Sequence, residues 1–165
     1  MKKRGQLKLS FGMIFSIILI IVFLAFAFFS VKKFIDVSTS AQITQFKDNF
    51  QSDINSVWNS PQSNQELNYR LPKEVQKLCI LDSEATSSGS NSDIYSDLKF
   101  YSGNSNNVFF YPLEAFPNFE GVEIKHLDIG TITANENPFC ISNENGKINL
   151  VLRKNFDEIM VRVAR

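Results

Sequence analysis

The sequence has one histidine, one tryptophan and two cysteines in 165 residues, and no acid before Asp36. Each shortage excludes something. His126 stands alone and Cys79 and Cys140 are far apart, so no close set of ligands exists for a zinc-type site. No Gly-x-Ser-x-Gly elbow is present to carry a hydrolase nucleophile. The glycines stand singly, several in serine and asparagine runs, which leaves no phosphate-cradling loop. No Asn-x-Ser/Thr acceptor occurs, so sequon-dependent glycosylation is not expected. From residue 32 onward thirteen basic residues face all 17 acids, a net of about −4. Phosphate binding needs a basic face, so nucleic acid is not an expected partner. No cofactor is indicated either.

What is present begins at the N-terminus. Lys2, Lys3, Arg4 and Lys8 make residues 1–10 a basic leader. Residues 11–31 then hold 21 positions without a charge, the roughly 20 residues a helix needs to cross the hydrocarbon core. The run is apolar on every face, and a domain this small could hardly surround such a helix. Lys32 and Lys33 close it with stems long enough to reach headgroups. The larger basic cluster lies before the run and stays inside by the positive-inside rule. The expectation is a single-pass protein of the cell membrane, N-terminus cytoplasmic and C-terminal domain outside. The lipid bilayer is its first partner. An even pair of cysteines outside the cytoplasm is expected to form a disulfide, Cys79 with Cys140. Two buried free thiols are the alternative.

Residues 32–60 show a clear period. Ile43, Phe46, Phe50, Ile54 and Val57 step by 3, 4, 4 and 3, which puts them on one helix face. Ser38, Thr39 and Ser40 offer hydroxyls that could bend this helix or join two helices. Pro61, within the polar run 60–64, ends it. Residues 61–165 read as an extracytoplasmic β-rich domain. Strands are expected at 75–81, 122–129, 131–133 and 139–141. A hairpin is expected between 98–101 and 108–111, and Gly146 opens a last pair, 148–152 and 158–163, with period-2 alternation. The helix stripe needs a dry partner, and the sheet supplies one. The predicted fold is therefore α+β. A long N-terminal helix, transmembrane in its first half and amphipathic in its second, packs on a small antiparallel β-sheet domain.

Little points to catalysis. His126, near Asp128, is the nearest approach to a base with its orienter, and it reads better as a strand histidine on a wet face. The acid pairs Asp82 with Glu84 and Asp157 with Glu158 read as turn and surface residues. No catalytic residue is expected, and the chain is read as a binding or assembly protein rather than an enzyme. Phe109, Phe110, Tyr111, Phe116 and Phe119 cluster around Pro112 and Pro117. They read as core and loop anchors, with an exposed patch for another subunit as the sharper alternative.

The order Lys2-Lys3-Arg4, Gly5, Gln6 and then an apolar run from Phe11 resembles the N-terminus of archaeal type IV pilin-like proteins, with their class III signal peptide. The resemblance implies processing between Gly5 and Gln6 by a membrane peptidase. It also implies one long helix, apolar first and then lying on a C-terminal β domain, and partners among copies of itself or other pilin-like subunits. Two features depart from it. Ser10 stands where many pilins carry a glutamate, and Lys8, Lys32 and Lys33 are charges that a packed filament core would have to accommodate. A minor pilin-like subunit, or an anchored protein that is never processed, fits these better than a major subunit. Ala25-Phe26-Ala27 matches the small-x-small pattern of signal peptidase, which leaves open a secreted small binding domain; an unrecognised enzyme is the remaining alternative.

Overall fold

The structure, a computed structural model, describes residues 11–103, 105–113 and 121–165. It begins with helix α1 (Phe11–Asn59). The chain divides into two compact units, Met1–Thr39 and Ser40–Arg165, and the division falls within that helix.

In the first unit the described residues are all helix, and their apolar side chains are uncovered: Phe11, Phe28 and Phe34 are 84%, 76% and 73% exposed. The helix is long and apolar enough to cross a membrane. Of the two arrangements expected near Ser38, the junction of two helices is not found, since α1 is one helix from Phe11 to Asn59. Elsewhere on the helix, hydroxyls fold back onto the carbonyl one turn earlier: Ser16 Oγ donates to Gly12 at 2.9 Å and Thr44 Oγ1 to Ser40 at 3.0 Å.

In the second unit the expected stripe is the buried face. Ile43, Phe46, Phe50, Ile54 and Val57 are all at most 2% exposed. The unit continues with β1 (Ser63–Arg70), β2 (Lys77–Ile80), a 3₁₀ turn (Ser92–Ile94), α2 (Tyr95–Phe100), β3 (Val108–Tyr111), α3 (Ile129–Thr133), β4 (Phe139–Ser142), β5 (Lys147–Lys154) and β6 (Arg162–Ala164). The strands form two antiparallel three-stranded sheets, ordered β1-β5-β6 and β3-β2-β4, where one small sheet was expected. The helix stripe packs with Leu150 and Leu152 of the first sheet and Leu78 and Phe110 of the second in one core. The second sheet is covered on its other face too, where Cys79, Phe109 and Cys140 meet Tyr95 and Leu98 of α2.

Several expected elements change type. Residues 98–101 do not pair with β3: residues 95–100 are helix α2, because Tyr95 and Leu98, three apart, face one side and are buried. Residues 131–133 are helical as well. Asp128 accepts a hydrogen bond from Thr131 N–H at 3.1 Å, and that cap starts α3 despite its β-branched residues. The stretch 122–129 is no strand but touches the sheets through isolated bridges, Val122 to Val108 and Leu127 to Val161. β1 was not foreseen, and β6 is shorter than expected. Gly146 stands just before β5, as expected, and does so in a tight turn: Asn145 and Gly146 have φ of 55° and 84°, the two left-handed positions that tight hairpins favour for Asn-Gly.

Side chains tie the loops down. Asn137, 1% exposed, accepts from Asp82 N–H at 3.1 Å and donates to the carbonyls of Asp82 and Thr86 at 2.9 and 3.2 Å. Asn107 pairs its amide with both backbone groups of Ile124, at 2.8 and 2.9 Å. The helix end is closed by a lysine from another strand: Lys154 Nζ donates to the carbonyls of Trp58 and Ser60 at 2.8 and 2.9 Å. A cation there complements the negative end of the helix.

Candidate functional site

The residues singled out for chemistry do not come together. His126 sits in a turn with φ of 68°, not on a strand. Its ring stacks on Trp58 with centroids 3.8 Å apart. Asp128, the suggested orienter, spends a carboxylate oxygen on the α3 cap instead. Asp82 is likewise occupied, accepting from Glu84 and Ala85 N–H at 3.0 and 3.2 Å. Glu158 closes the turn after β5, accepting from Asn155 N–H at 2.8 Å and pairing with Arg162. Among the described residues no group of three histidine, cysteine, aspartate or glutamate side chains could hold a metal ion.

Cys79 and Cys140 are bonded to each other. They are direct partners across the β2–β4 ladder, with Cα atoms 4.1 Å apart. The bond is buried in one cluster with Tyr95 and Leu98 of α2 and Phe109 of β3. The suggested processing residues Gly5 and Gln6 lie outside the described residues, as do Phe116 and Phe119 of the aromatic cluster. Phe109 and Phe110 are fully buried, so that part of the cluster is core.

One polar constellation was not foreseen. Glu136 lies between β4 and the serine-rich loop that precedes the 3₁₀ turn. Its side chain is 14% exposed. It accepts from Asn91 Nδ2 at 2.6 Å and from Ser90 Oγ, and pairs with Arg165 at 2.5 Å. Burial works against its charge, but the hydrogen bonds from Ser90, Arg165 and Asn91 and the Arg165 charge together outweigh it. They hold the carboxyl below the usual range. Lys77 Nζ donates to Asn91 Oδ1 at 2.6 Å. Lys77, Ser90, Asn91 and Arg165 border a groove of about 440 Å³ that also reaches Glu144 and Lys147. The groups satisfy one another and fasten the serine-rich loop to β4. The signal for the cluster was absent from the sequence because Ser90 and Asn91, Glu136 and Arg165 come from three separate stretches of the chain.

The second titration that burial perturbs is structural too. Tyr69 donates to Asp53 Oδ2 at 2.6 Å, from β1 to α1. Burial, then the hydrogen bond and charge of Asp53, push its phenol far above the ordinary value.

Compared with known proteins, the chain matches no family model, no curated protein and no solved structure.

Proposed function

We propose that the chain is a single-pass membrane protein whose disulfide-bonded α+β domain lies outside the cytoplasm and works by binding or assembly. The observation that carries this reading is the first unit: a helix with residues 11–31 uncharged and its apolar side chains bare. Large exposed apolar surface of this extent marks contact with a membrane or another protein. The basic leader before it supports the orientation, by the positive-inside rule. The disulfide supports an oxidising compartment for the second unit. Within this reading the pilin-like N-terminus points to a minor subunit processed between Gly5 and Gln6.

The test is the intact mass of the membrane-extracted chain, with peptide mapping of its N-terminus. Processing of the pilin kind gives a chain beginning at Gln6. A chain that keeps Met1, or loses only that residue, removes the pilin-like reading and leaves a plain anchor. A chain beginning at Phe28 overturns the anchor itself in favour of a secreted domain. Protease added outside sealed cells should cut the second unit and spare residues 11–31; protection of the second unit would reverse the orientation.

A further inference from the structure

We propose that strand β1 is a self-pairing edge, which joins β1 of a second copy antiparallel about Asn68. This pairing draws on the second unit alone and does not rest on α1 being a membrane anchor. β1 lies at the edge of the sheet β1-β5-β6. All eight of its residues pair with β5, and among the described residues its backbone makes no hydrogen bond on the other side. An unpaired edge of this length is a template for another strand. At its C-terminal end β1 also borders a groove of about 620 Å³, lined by Asn68, Tyr69 and Arg70 with Gln45 and Asn49 of α1.

The occupant follows from the charges. Residues Asn64, Glu66, Asn68 and Arg70 share the exposed face of β1. On β5, Arg70 faces Lys147 and Glu66 faces Val151. Neither has an ion-pair partner among the described residues, and Arg70 opposite a lysine is an unfavourable cross-strand pair. Glu66 and Arg70 stand two residues either side of Asn68. A two-fold axis through Asn68 therefore sets Glu66 of each copy opposite Arg70 of the other, two opposite-charge pairs at once. Side-chain alternation forbids registers shifted by one residue. Among the other face-preserving registers, a centre at Glu66 opposes two carboxylates, a centre at Arg70 opposes two guanidiniums, and centres at Leu67 or Tyr69 set neither charge opposite its complement. Exposed pairs add little affinity, but they decide between registers. The result is an isologous interface, the ordinary form of a homodimer.

Within the second unit, β1 runs opposite to α1, since Tyr69 contacts Phe46 and Asp53 whereas Lys154, the partner of Ser63, contacts Trp58. The axis that reverses β1 reverses this helical segment as well. The experiment is accordingly done with the full chain in detergent, where no shared bilayer has to hold both copies. Sedimentation of the wild-type chain over a concentration series should show monomer and dimer. Glu66→Arg should abolish the dimer, and Glu66→Arg/Arg70→Glu should restore it. Both positions are exposed, so circular dichroism should be the same for all three chains. Asn68→Cys, oxidised, should give a covalent dimer whose link maps to residue 68 in both copies, because directly opposed strand residues lie within disulfide reach. Glu66→Cys should give far less. A wild-type chain that stays monomeric at millimolar concentration overturns the proposal. So does a charge swap that fails to restore the dimer, or linkage at residue 66 as efficient as at residue 68.

Discussion

Tyr69 shows how one residue is held between two elements. Its ring meets Phe46 and Phe50 edge-on, with centroids 5.2 and 5.6 Å away, while its hydroxyl reaches Asp53. Tyr69→Phe keeps the ring contacts and removes the hydrogen bond, an expected loss of about 0.5–1.5 kcal/mol by urea unfolding at neutral pH. The pH dependence separates this group from the rest. Below pH about 10 both folded and unfolded chains keep the phenol proton. Above it the unfolded chain releases the proton and the folded chain holds it, because the folded value is raised. Stability therefore falls as pH rises, and Tyr69→Phe should flatten that fall. An equal alkaline slope in both chains would show that Tyr69 titrates normally. Glu136 acts in the opposite sense. Its folded value is lowered, so its contribution is present above the ordinary carboxylate range and is lost as pH falls through the folded value. Glu136→Gln should remove part of the acid-side decline. At Cys79 and Cys140 the covalent bond spans 61 residues of sequence, and Cys79→Ser/Cys140→Ser should lower stability by about 2–5 kcal/mol.

The elements were legible to different degrees, and each difference has a physical cause. The outer half of α1 was plain, because five large residues at helical spacing became five buried residues. Phe50 is fully buried beneath Phe46 and Tyr69. Phe50→Ala should therefore cost about 3–5 kcal/mol, measured by denaturant unfolding; a loss near zero would mean the stripe does not carry the core. β5 was plain as well, since Ile148, Leu150 and Leu152 alternate inward. β1 was hidden. Its inward positions include Ser63 and Gln65 beside Leu67 and Tyr69, so its alternation shows in the pairing with β5 rather than in hydrophobicity. α2 and α3 were misread as strands because they are short and rich in aromatic or β-branched residues. There a buried i, i+3 pair and an aspartate cap outweigh propensity, and neither shows over so few residues without the neighbours they touch. The disulfide was anticipated from cysteine count, but its place under α2 was not, because that depends on the β2–β4 register. The Glu136 cluster could not be read at all, since no local pattern joins Ser90, Asn91, Glu136 and Arg165.

At the scale of the whole molecule, the two units differ in what they require. Every buried hydrophobic residue among those described lies from Ile43 onward, inside Ser40–Arg165. That unit also holds both sheets, the disulfide and the loop-fastening amides. By contrast, residues 11–39 contribute no buried hydrophobic side chain among those described. Residues 40–165 should accordingly fold when produced alone in an oxidising medium. All the buried hydrophobic residues among those described lie within them, so their thermal midpoint should match that of the full chain in detergent to within about 4 °C, the shift that about 1 kcal/mol produces in a domain of this size. They should stay in water, while the full chain partitions into detergent or vesicles, because the apolar helix is what water excludes. Midpoints that differ by much more would show that the apolar helix stabilises the folded domain. A full chain that remained soluble and monomeric without detergent would show that residues 11–31 are covered by the protein itself, and the membrane reading would fail with it.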